Sequence, residues 1–239
     1  MSLNWILPPA AGLGLWEIKA RPTFPEALLA LYRQGKNRIA AGDFVAGAQH
    51  WRSAVEAADQ RNAPLLAAWL QDQLAQELEN TGRSTEADAV WERAVQRLEG
   101  SQPAAAAQLL RDWSTSLERR NLWDLVEVCY RRALALEQAE SLTAAWDLGT
   151  LGSIASRRGD LSVAEDLFLK GYSIVEKLAP ESPVLGMALN SLGNIAEARS
   201  DLSIAEERFR QALKLFERLE PNGTNFAQTL TNLGTVNMN

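Results

Sequence analysis

Apolar residues between 145 and 185 fall at the spacing of an amphipathic helix, broken once and then resumed. Leu148, Leu151, Ile154 and Ala155 make one apolar row and predict a first helix. Gly159-Asp160 follows, and a glycine suits the left-handed residue that ends a helix. Ala164, Phe168 and Gly171 then share one face of a second helix, which should run out at Leu178-Ala179-Pro180, since proline cannot continue it. Gly152 and Ala164 are small, as two closely crossing helices require, and Phe168 fills the space beside them.

The same pattern returns without a gap over residues 186–226, at a spacing of 41. Leu148, Leu151, Gly152, Ile154, Ala155, Asp160, Ala164 and Phe168 reappear as Leu189, Leu192, Gly193, Ile195, Ala196, Asp201, Ala205 and Phe209. Leu230, Leu233 and Gly234 begin a third copy. Self-similarity at a fixed period of this length predicts a repeat array. Three more degenerate units precede the pair, near 28–61, 68–101 and 107–140, followed by those near 145–178 and 186–219 and a partial one at 227–239. Their second-helix aromatics are Trp51, Trp91 and Tyr130, and their turns carry Gly42, Gly82 and Asn121. In the last full unit Ser200 replaces the turn glycine. Pro64, Pro103, Pro180, Pro183 and Pro221 fall between units and mark breaks between helix pairs, within a single array.

"LGTLGSIASRRGDLSVAEDLFLKG" and "LNSLGNIAEARSDLSIAEERFRQA" resemble the tetratricopeptide repeat, whose first helix carries Leu-Gly and whose second carries Ala, an aromatic and Ala before a proline. The resemblance covers about residues 28–239 and implies an all-α fold, a right-handed α-solenoid of antiparallel helix pairs. First helices then line a concave groove. The groove places implied by the resemblance include Tyr32, Asp72, Gln76, Arg111, Asp112 and Thr115, then Trp146, Thr150, Ser153 and Arg157, then Asn190, Ser191 and Asn194, then Thr231 and Asn232. "LNSLGN" and "LTNLGT" resemble kinesin light chain and bacterial peptide-sensing regulators, in which such asparagines hold peptides. An asparagine amide both donates and accepts, so it can grip an extended backbone without reading its side chains. The alternative is that these amides are solvated or bridge neighbouring helices. Family members that clamp a chaperone tail place a lysine where this chain has Tyr32, Asp72, Arg111, Gly149, Asn190 and Thr231, so that role is not expected. The longer period also resembles bacterial arrays fused to CHAT-type proteases or signalling ATPases.

Composition narrows the function without naming it. A net charge of -6 and a pI near 5.0, with no clustered basic stripe, argue against nucleic acid as partner. No apolar run approaches a membrane span, so no membrane partner is expected, and a cytoplasmic location is. Residues 1–27 hold Trp5, Leu13, Leu15 and Trp16 without a sustained helical period. They read as a cap over the first repeat, a linker remnant, or an arm that docks into a groove.

Enzyme chemistry lacks parts. His50 and Cys129 are the only histidine and cysteine, and they lie two repeats, about 20 Å, apart, too far for a dyad or a shared zinc. "GLG" at 12–14 and "GTLG" at 149–152 lack the lysine and the strand-turn-helix setting of a phosphate loop. No catalytic, cofactor or metal site is expected.

The expectation is a non-catalytic scaffold, a piece of a larger bacterial signalling or effector protein. It would bind a protein or extended peptide in a groove formed by Trp146, Arg157, Asn190, Asn194, Thr231 and Asn232. The alternative is a self-associating module, a homo-oligomer formed through the exposed terminal helix, where Leu230 and Leu233 need a partner, or through the N-terminal arm.

Overall fold

Every turn between paired helices requires one residue with positive φ, and the chain supplies it by different chemistry in each repeat. Gly42, Gly82 and Gly159 take φ of 82°, 77° and 86°. Asn121 and Ser200 do the same work at 59° and 65° without a glycine's freedom. In this computed structural model residues 25–137 and 140–238 are described. Trp5, Leu13, Leu15, Trp16 and the "GLG" at 12–14, and with them most of the expected N-terminal arm, lie outside the described residues.

The described residues form eleven α-helices, and no strand is found among them. The helices are α1 (Glu26–Ala40), α2 (Phe44–Asp59), α3 (Pro64–Asn80), α4 (Ser84–Glu99), α5 (Pro103–Arg119), α6 (Trp123–Leu136), α7 (Leu142–Arg158), α8 (Leu161–Leu178), α9 (Pro183–Ala198), α10 (Leu202–Leu219) and α11 (Thr224–Met238). Pro64, Pro103 and Pro183 each open a helix instead of sitting in a connector, because a first-turn residue has no intrahelical use for its N–H. Ser141 and Ser182 cap α7 and α9, accepting from Ala144 N (3.0 Å) and Leu185 N (3.3 Å).

The chain divides into two compact units, Met1–Glu137 and Gln138–Asn239. In each, consecutive helices pack as antiparallel pairs and each pair packs on the next. First helices also touch across a repeat: α3 meets α5 in the first unit, and α9 meets α11 in the second.

The core of each pair follows from one small-to-large fit. Trp51, Trp91, Tyr130, Phe168 and Phe209 are all buried, each contributing on the order of 1.5–3 kcal/mol of apolar burial. Opposite them on the first helices stand Gly35, Ala75, Ser114, Gly152 and Gly193. A Cβ on Gly35 would come within 2.4 Å of the Trp51 ring, and one on Gly193 within 2.5 Å of Phe209. The large ring and the missing side chain are therefore one design, repeated. Tryptophan adds a polar N–H that must be satisfied when buried. Trp51 donates to the Tyr32 carbonyl (2.9 Å) and Trp91 to the Asp72 carboxylate (3.0 Å).

Arginines tie neighbouring repeats together on the outside. In the first unit Arg132 of α6 reaches Glu92 (2.7 Å) and Glu99 (2.6 Å) of α4, and Arg97 pairs with Asp59. In the second, Arg199 pairs with Glu165 (2.6 Å).

Candidate functional site

The groove places of the second unit are dominated by side chains already committed to the backbone. Thr150 donates to Trp146 O (3.2 Å), Ser153 to Gly149 O (2.9 Å), Ser191 to Met187 O (3.0 Å) and Thr231 to Ala227 O (3.0 Å). Each is the same bond to the carbonyl four residues back, which spends the only hydroxyl proton. The hydroxyls of this face are therefore acceptors only.

Three asparagines behave differently. Asn190 and Asn194 stand one turn apart on α9, and Asn232 of α11 donates its Nδ2 to both, at 3.2 and 3.0 Å. Thr229 is buried beside Asn190 Oδ1 (3.2 Å), but its hydroxyl proton goes to the nearer Asn225 carbonyl (2.8 Å). Counting atoms shows what this leaves. Asn190 Oδ1 and Asn194 Oδ1 each accept once from Asn232, and both Asn232 protons are used. The Nδ2 groups of Asn190 and Asn194 and the Oδ1 of Asn232 have no protein partner among the described residues. All three side chains are half-buried, so their free edges are fixed in direction and still reachable. The result is two donors and one acceptor held by a mutual brace.

The remaining expected groove residues of this unit lie on α11 and α7. Thr231 is exposed, and lies about 100° round the helix from Asn232. Trp146 is half-buried and Arg157 exposed, both on α7. Thr229 is the residue that sequence reasoning missed. It sits 39 positions after Asn190, and a threonine at that spacing beside an asparagine was the available signal.

The first unit presents a groove face of opposite character. Asp72 is buried and receives Trp91, Gln76 Nε2 (2.8 Å) and Gln73 Nε2 (3.4 Å). Burial pushes its carboxyl above the usual range, against the effect of those bonds. Asp112 takes one bond, from Gln108 (2.9 Å), and its pKa is pushed up to about 6 by burial and by the charge of Asp72. Asp112 lines an open pocket of about 280 Å³ with Gln76, Asn80, Trp91, Thr115 and Arg119. The Arg111 charge offsets this upward push on Asp112 only in part, and its guanidinium also holds Glu137 at 3.0 Å.

The lone cysteine is not set up as a nucleophile. Cys129 is buried, and burial pushes its thiol up to about 12, far from the thiolate that a nucleophile needs. Among the described residues no group of histidine, cysteine and carboxylate side chains is placed to hold a metal, and no helix is long and apolar enough to cross a membrane.

No family model matches the chain, and no curated protein sequence does. Solved structures do match it. BtubC (BKLC) from P. vanneervenii is similar over 88% of this chain and 82% of its own, at 19% identity and a TM-score of 0.61. The apo form of RapI is similar over 87% and 82%, at 10% identity and a TM-score of 0.60. A Podosopora anserina kinesin light chain protein with nearly identical TPR-like repeats is similar over 83% and 99%, at 13% identity and a TM-score of 0.56. The class is thereby defined: an all-α helical-repeat protein. The particular fold is the tetratricopeptide type, as the paired helices and their small-to-aromatic contacts require.

Proposed function

We propose that this chain is a non-catalytic interaction scaffold, and that its second unit holds an extended peptide by the backbone. The observation that carries the reading is the braced trio Asn190, Asn194 and Asn232. Its two outward donors and one outward acceptor match the alternating carbonyl and N–H groups of an extended strand. Because Asn232 already binds both partners, the free edges need no reorganisation on binding, which lowers the entropic cost of capture. Trp146 and Arg157 of α7 add an aromatic surface and a cation toward the peptide's flank, and Thr231 an acceptor. A backbone-directed grip tolerates many side chains, so selectivity would come from such flanking contacts.

The test is selection from a library of linear peptides displayed on phage, run in parallel on the wild type, Asn194→Ala and Asn232→Ala. Enrichment on the wild type that drops about tenfold or more on either variant supports the reading. Equal enrichment on all three proteins would remove the asparagine face as the binding surface.

A further inference from the structure

Helices α3 and α5 meet in the first unit, and the open pocket of about 280 Å³ lies between their C-terminal halves. α3 contributes Gln76 and Asn80, one turn apart, and α5 contributes Asp112, Thr115 and Arg119 at the same helical spacing. Trp91 of α4 closes the pocket from behind, its ring fixed in direction by the bond from its indole N–H to Asp72.

The donors nearest Asp112 are turned toward other partners. Gln76 directs its amide nitrogen to Asp72 (2.8 Å), and Thr115 spends its only hydroxyl proton on Arg111 O (3.2 Å). Asp112 Oδ1 already accepts from Gln108 (2.9 Å). What remains is a set of acceptors. Gln76 Oε1, the Thr115 lone pairs and Asp112 Oδ2 take no hydrogen bond among the described residues.

The charge is equally one-sided. Burial and the nearby Asp72 push the Asp112 carboxyl up to about 6, the mark of an anion only partly compensated. Arg111 is the cation closest in sequence, but it is shared with Glu137 (3.0 Å). Arg119 lies two turns beyond Asp112, about 10 Å along the helix axis, and no ion pair joins them among the described residues.

We propose that this pocket receives the guanidinium of an arginine carried by a bound polypeptide. A guanidinium spreads five N–H donors over one plane and can meet Asp112, Gln76 and Thr115 together, whereas an ammonium offers three donors at a single point. Gln76, Asn80, Thr115 and Arg119 are all exposed, so a side chain can enter while its backbone stays outside. The site belongs to the first unit and does not rest on the asparagine trio of the second, so either can fail alone.

The probe is N-acetyl-arginine methylamide, an arginine side chain on a capped, neutral backbone. It is titrated into the full chain at pH 7, where Asp112 is ionised, with the Trp91 indole N–H signal followed by NMR. Capped citrulline, the uncharged isostere, capped lysine and free arginine are the ligand comparisons, and they use the unaltered protein. Asp112→Asn keeps the shape and removes the charge. Asp166→Asn, at an exposed acid of the second unit, makes the same change in net charge elsewhere. The expected result is a saturable shift that weakens at least about tenfold with capped citrulline and with Asp112→Asn, and is unchanged by Asp166→Asn and Asn194→Ala. Capped lysine should bind more weakly than capped arginine, and equal binding would overturn the guanidinium assignment. No saturable shift, or binding that survives Asp112→Asn, overturns the proposal. Equal weakening by Asp166→Asn also overturns it, by showing general attraction to a negatively charged chain. Tighter binding of free arginine than of the capped form would make the pocket a site for a small zwitterion, and loss with Asn194→Ala would place the probe on the asparagine face; each overturns the proposal.

Discussion

Trp91 of α4 donates its indole N–H to the buried carboxylate of Asp72 on α3, at 3.0 Å. The bond joins the largest core side chain of its repeat to the most buried acid of the groove face. Truncation to Ala leaves the Trp91 N–H without a partner, while Asn keeps an acceptor and discards a charge that burial disfavours. Asp72→Ala should therefore lose about 1–3 kcal/mol of stability at pH 7, the cost of an orphaned buried donor. Asp72→Asn should stay within about 1 kcal/mol of wild type or exceed it. Urea unfolding midpoints of the two variants separate these outcomes, and equal losses would show that the charge itself holds the site.

Asp112 makes stability depend on pH. Its folded pKa of about 6 lies above the ordinary value of 3.8, so the folded state holds the proton more tightly than the unfolded one. The sign follows: the acid form's contribution is complete below about 4 and is lost as pH rises toward 6. Asp72, raised as well, acts in the same direction. Asp112→Asn should remove much of this slope and be more stable than wild type at pH 7 by about 1–3 kcal/mol. Parallel melts at pH 4.5 and pH 7 measure it. A variant equally stabilised at both would mean that Asp112 does not titrate in this window.

The repeat itself was legible because its constraints are steric and recur. Gly152 and Gly193 mark where a ring enters, and Gly159 marks a left-handed turn, so spacing alone located them. Asn190, Asn194 and Asn232 were legible as neighbours for the same reason. Their hydrogen-bond pattern was not, since the choice of which amide donates depends on angles that spacing does not carry. Leu233 misled because its period matches Leu192, although Val236 and Leu233 turn toward Phe209 at the end of the array. The prolines at 64, 103 and 183 read as breaks, yet they open helices, because first-turn and connector positions look alike in sequence. Asp72 and Asp112 were visible only as groove residues. Their significance rests on depth, which a single polar letter at helical spacing does not reveal.

Ser200 holds φ of 65° in the turn where Gly159 stands one repeat earlier. A side chain in that region is strained on the order of 1 kcal/mol, partly offset because glycine also loosens the unfolded chain. Ser200→Gly should raise stability by about 0.5–1 kcal/mol, and Gly159→Ala should lower it by about 1 kcal/mol. Thermal melts of both proteins are the check, and a destabilised Ser200→Gly would mean that its hydroxyl makes a contribution larger than the strain.

Gly193 and Gly234 occupy the same place in successive repeats and should respond to one methyl group in opposite ways. At Gly193 the added carbon would sit 2.5 Å from Phe209, a fully buried ring with no room to retreat. Overpacking of this kind costs about 1–3 kcal/mol. At Gly234 the same carbon meets open space, so only helix propensity acts, and Ala exceeds Gly there by about 0.8–1 kcal/mol. Gly193→Ala should lower the urea midpoint and Gly234→Ala should raise it or leave it unchanged. A Gly234→Ala variant destabilised in the isolated protein would show that this space is already filled.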